Sequence, residues 1–83
     1  MSRYFLNVFN RTGTTMDDEG QELADLTAAC AQAMMSVRSI LSDEALDGKL
    51  DLCGRIEVTD EAAGILAVVP FIDAFELYLP DDE

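Results

Sequence analysis

Two segments of this chain, Arg3–Asn10 and Ile65–Phe71, carry apolar side chains on both faces of an extended strand. In the first, Tyr4, Leu6 and Val8 alternate with Phe5 and Phe9; in the second, Ile65, Ala67, Val69 and Phe71 alternate with Leu66 and Val68. A strand of this kind needs cover on both sides, whereas an alternating strand needs it on one. The chain has only 83 residues with which to supply that cover. With 49% of them hydrophobic it is too apolar for disorder, and its length allows one small core, so residues 1–79 are expected to form a single domain before an acidic tail at 80–83.

The elements around these two strands are legible. Arg11-Thr-Gly13 reads as a turn and Thr14–Met16 as a short returning strand. A polar connection from Asp17 to Leu23 leads to Asp25, a good N-cap, after which Leu26, Cys30, Ala33, Val37, Ile40 and Leu41 recur at helical spacing. Asp43, Glu44 and Asp47 sit poorly at the negative end of a helix dipole. The helix is therefore expected to fray after Leu41 or to restart at Ser42, with Gly48 as the stop. Leu52–Thr59 and Ile65–Phe71 form a hairpin around Asp60–Gly64, and Ile56 and Val58 give the first of these a single apolar face. Phe71–Leu79 reads as a short amphipathic helix in preference to a fifth strand, because Asp73-Ala74 interrupts the alternation.

Charge is unevenly distributed. The net charge is −12, of which residues 1–41 hold −2 and residues 42–83 hold −10. Such a field repels nucleic acid phosphates and anionic membrane surfaces, and beyond simple solubility it favours a basic protein partner. No apolar run approaches the roughly 20 residues of a membrane span. The N-terminus makes a poor signal peptide, and Cys30 and Cys53 are read as ordinary packing thiols, so the expected compartment is the cytoplasm.

Reaction chemistry finds little purchase. There is no His, and Lys49 is the only lysine. Asp17, Asp18, Glu19 and Glu22 cluster without the spacing of a cation-binding loop and read as a solvated acidic turn. Asp43, Asp47, Gly48 and Asp51 match parts of an EF-hand loop, but Ala45 and Gly54 fall where its third and twelfth ligands belong. The two cysteines lack the further ligands that zinc or a nucleophilic thiol would recruit. The sequon Asn10-Arg11-Thr12 is read as chance, and Met34 and Met35 as core filling. No catalytic, cofactor-binding or metal residues are assigned.

The order of features nevertheless resembles a known family. The start Arg3-Tyr-Phe, the run Asp18-Glu-Gly20-Gln-Glu-Leu-Ala-Asp25-Leu into an alanine-rich helix, and Gly54-Arg-Ile-Glu-Val-Thr-Asp60 before Leu66-Ala-Val-Val-Pro-Phe71 are similar to a family of small bacterial proteins known only as a domain of unknown function. The resemblance covers most of residues 2–75 and implies a common fold with no activity to transfer. This chain departs from it at Ala62-Ala63-Gly64 and in its apolar Phe75–Leu79 extension.

The expected fold is α+β: two β-hairpins joined by one long helix packed on a four-stranded, mainly antiparallel sheet, ββαββ. With the two doubly apolar strands central, the spatial order is 2-1-4-3. One helix covers one face only, so either Phe71–Leu79 or another chain must cover the second. Phe5, Phe9, Leu66, Val68, Phe71, Phe75, Tyr78 and Leu79 are the candidate interaction surface. The expected function is a non-catalytic interaction or regulatory module, working as a homodimer or docked on a partner. A small-molecule binder or enzyme with a pocket between subunits is the alternative, and an acidic nucleic acid mimic a remote one.

Overall fold

A computed structural model describes residues 2–80. Its elements run β1 (Ser2–Asn10), β2 (Gly13–Thr15), β3 (Gln21–Leu23), α1 (Leu26–Leu46), β4 (Arg55–Thr59), β5 (Ile65–Pro70) and a 3-10 turn, Phe71–Ala74. The α+β architecture is as expected, with one helix on an antiparallel sheet. The sheet gains a fifth strand, because the polar Gln21–Leu23 pairs with the first residues of β1. Backbone pairing is indifferent to side-chain polarity, so periodicity alone could not find it.

The strand order corrects the expectation more deeply. It runs β2-β1-β4-β5, so the one-faced β4 is central and the doubly apolar β5 is at the edge. β4 tolerates the centre because its polar residues satisfy one another on the face away from α1. Arg55 Nε meets Glu57 Oε2 at 3.0 Å. The same guanidinium lies 4.4 Å from the ring centre of its cross-strand partner Phe9. Apolarity on both faces marks a central strand only when both faces of the sheet are covered.

α1 covers one face. Ala29, Ala33, Val37 and Leu41 are buried against Tyr4, Leu6, Ile56, Val58, Val69 and Phe71, while Leu26, Cys30, Met34 and Ile40 pack at the margins. The small alanines bring the helix close to the sheet. Its N-cap is Asp25, whose Oδ1 accepts from the N–H of Ala28 at 2.9 Å. The helix neither frays after Leu41 nor restarts at Ser42. It runs unbroken to Leu46 and ends in a Schellman motif: Gly48 takes φ +81°, its N–H donates to Ala45 O, and Lys49 N–H donates to Glu44 O. The acids of the last turn are thus tolerated where the chain reverses, and Glu44 Oε1 also accepts from Asp51 N–H at 2.9 Å.

The C-terminal segment is a second correction. Only Phe71–Ala74 is helical; Phe75 is extended, and no regular element follows it up to Pro80. It follows α1: Arg38 Nε donates to Ala74 O at 2.8 Å, and Phe75 packs on the core. The second sheet face therefore receives no cover from it. Asp81–Glu83 of the expected tail lie outside the described residues.

Candidate interaction surface

The pairing of β5 determines which backbone groups it leaves free. Phe71 N–H donates to Gly54 O at 2.9 Å, continuing the β4–β5 register by one residue. In an antiparallel ladder alternate residues turn both backbone groups to the same neighbour. Val69 and Ala67 therefore face β4, while Val68 and Pro70 direct theirs outward. Among the described residues no strand pairs that outer side. Proline has no N–H, so Pro70 offers only an acceptor, whereas Val68 offers a donor and an acceptor. The register shift opposite Val58 and Thr59 skips Leu66 and leaves Ile65 facing Thr59.

Side chains reinforce this edge. Ile65 is 59% exposed, Leu66 42% and Val68 49%, and the strand from Ile65 to Pro70 holds no charge. The other two free edges differ. β2 is three exposed residues that begin with a glycine, and β3 places Glu22 in its middle.

On the open face, Phe5 and Phe9 are half-buried. Phe5 lies against Gly20, where a Cβ would stand 2.9 Å from its ring. Phe9 lies beneath Arg55. Asn7 and Thr59 on the same face are buried, and Asn7 Oδ1 accepts from Asp17 N–H at 2.9 Å. The exposed apolar part of the face is thus smaller than the strand pattern alone implies and concentrates towards β5.

The expected surface divides. Phe5, Phe9, Leu66 and Val68 belong to the sheet. Phe71 is fully buried and belongs to the core. Phe75 packs on the helix side, and Tyr78 and Leu79 stand exposed beyond it.

Carboxylates that looked like ligands are engaged with the backbone. Asp17 accepts from Leu6 N–H through Oδ2 at 3.1 Å and from Gly20 N–H through Oδ1 at 3.0 Å. Asp51 accepts from Arg11 N–H at 2.8 Å and from Cys53 N–H at 3.0 Å. These bonds, the one from Arg11 first, hold the Asp51 carboxyl below its ordinary value of 3.8. Asn10 Oδ1 accepts from Thr12 N–H and Oγ1 in the turn after β1. The Asp–x–Cys and Asn–x–Thr spacings are turn signals that the sequence carries openly. Cys53 itself is exposed in a turn and not at the start of a strand. Among the described residues no group of three or more His, Cys, Asp or Glu side chains could hold a metal. None of their helices is long and apolar enough to cross a membrane.

With this topology in hand, comparison with known families gives one result: a domain of unknown function, DUF6894, matches residues 3–72. The chain belongs to the DUF6894 family. No curated protein and no solved structure matches it. The DUF6894 match takes in all five strands and α1, so the free β5 edge is part of the family domain, while Phe75 and the residues after it lie outside.

Proposed function

We propose that this DUF6894 chain is a small non-catalytic interaction module that pairs with a second copy of itself through β5. The free, uncharged β5 edge carries the reading. In a chain of net charge −12, most approaches of two copies set like charges together. A twofold axis at Val68 sets two uncharged strands against each other, pairing Val68 with Val68 by two backbone hydrogen bonds and bringing their side chains together. Glu57 is the nearest charge in that row. Across the axis the two copies of Glu57 would stand three strand spacings apart, about 14 Å, beyond the screening length of about 8 Å at physiological salt.

Pairing of this kind uses each β5 edge once, so assembly stops at two. The patch is small, which belongs with weak association at roughly micromolar concentration or above. We also assign the protein to the cytoplasm, where two unpaired thiols, Cys30 and Cys53, are ordinary.

Sedimentation equilibrium tests the proposal. A monomer–dimer equilibrium is expected that tightens as salt screens the repulsion between copies, and Val68→Lys should abolish it while leaving the circular dichroism spectrum unchanged. A monomer at every concentration and salt, or a dimer indifferent to Val68→Lys, would overturn it.

A further inference from the structure

A second apolar feature lies along the C-terminal half of α1, where the segment after Ala74 runs beside the helix. Between them is a half-open groove of about 280 Å³, walled chiefly by Leu41, Ala45, Leu50, Phe75 and Leu77. Its one charged member, Arg38, is engaged through Nε with Ala74 O at 2.8 Å, a bond that ties the segment to the helix and keeps the groove formed. Leu50 is 61% exposed and Leu77 45%, so the walls are wet in the monomer.

Size and charge together select the occupant. Pockets that enclose a drug-sized ligand hold about 300–1,000 Å³, so this groove suits one or two apolar anchors of a larger partner. The stretches that build it, residues 38–52 and 73–77, carry the acids Asp43, Glu44, Asp47, Asp51, Asp73 and Glu76 against Arg38 and Lys49. Glu44 and Asp51 are spent on the loop backbone. Asp43, Asp47, Asp73 and Glu76 are exposed, and their field reaches an approaching ligand whichever side of the helix they occupy.

We propose that this groove receives the apolar face of a basic amphipathic helix from another protein. One or two of the apolar anchors at i, i+3, i+4 and i+7 would enter between Phe75, Leu77 and the last turns of α1, the others resting on its rim, and lysine or arginine on the outer face would meet the acidic field. A fatty acid or other anionic amphiphile meets the same apolar walls, but there Arg38 and Lys49 are outnumbered by the surrounding acids. The site is separate from the β5 edge, and Phe75 and Leu77 lie beyond the DUF6894 match.

The probe is a synthetic peptide of about 18 residues, with leucines at that spacing and lysines elsewhere. It is to be followed by fluorescence anisotropy against the full chain. Binding is expected that weakens as salt rises, falls at least tenfold with Ala45→Arg, and is unchanged by Val68→Lys. Ala45 is exposed on the helix, so its variant keeps the fold, which circular dichroism checks. A scrambled peptide of the same composition should bind at least tenfold more weakly. Equal binding of the scrambled peptide, indifference to Ala45→Arg, or preference for decanoate over the peptide would each overturn the proposal.

Discussion

The ring of Phe71 lies in the space that a side chain on Gly54 would need. A Cβ there would stand 2.6 Å from Cε2 of Phe71 and 2.8 Å from the carbonyl oxygen of Phe9. The same two residues share the hydrogen bond from Phe71 N–H to Gly54 O. One glycine thus lets the last strand, the core aromatic and the C-terminal turn close on each other.

Gly54→Ala should therefore destabilise by about 1–3 kcal/mol, since a fully buried ring and a backbone oxygen cannot both retreat. Gly64 has only Asp60 Oδ1 near, at 3.8 Å, so Gly64→Ala serves as the control and should stay within about 0.5 kcal/mol. Urea denaturation of both variants checks the contrast.

Asp17 stands in for a missing stretch of strand. β1 pairs with β3 through residues 2–4 and with β2 through residues 8–10, and in the gap Leu6 N–H finds the Asp17 carboxylate. Asp17→Ala leaves that donor and Gly20 N–H without partners, at a cost of about 1–3 kcal/mol. A fall in melting temperature of roughly 10 °C is expected by calorimetry for a domain of this size.

Ala63 occupies the left-handed region, with φ +63°, in the turn between β4 and β5. That conformation costs an L-residue about 1–2 kcal/mol, and glycine returns about 0.4–1 kcal/mol of it through the entropy of the unfolded chain. Relief wins, so Ala63→Gly should raise stability by about 0.5–1 kcal/mol, read from the urea midpoint at unchanged slope.

Asp51 gives the fold an acid dependence. Its pKa is held below 3.8 by the N–H groups of Arg11 and Cys53, so in the unfolded chain it binds a proton more readily than in the native one. The resulting stability is present above about pH 4 and is lost as pH falls through the lower native pKa. Melting temperatures of the parent and Asp51→Ala should differ most above about pH 4 and converge as the pH is lowered below that.

Local signals were read well because their causes are local. Asp25 caps through an amide three residues away, the Leu26–Leu41 stripe follows helical geometry, and Gly48 stops the helix by its own φ. The split of Tyr4, Leu6 and Val8 from Phe5 and Phe9 follows from the alternation of any strand. The continuation of α1 past Leu41 was hidden because Glu44's compensation comes from Lys49 and Asp51, beyond the helix.

Of the candidate surface, Leu66 and Val68 were visible as surplus apolar residues, but their position on a free edge was not. Which strand stands beside which depends on where the chain returns after α1, and no side-chain pattern within one strand encodes its neighbour. Composition and periodicity were enough for an acidic α+β domain with more apolar strand surface than one helix covers. Tertiary structure alone put β4 in the centre, buried Phe71, turned the C-terminal segment onto the helix side and left Val68 facing outward, because those outcomes rest on contacts between residues far apart in the chain.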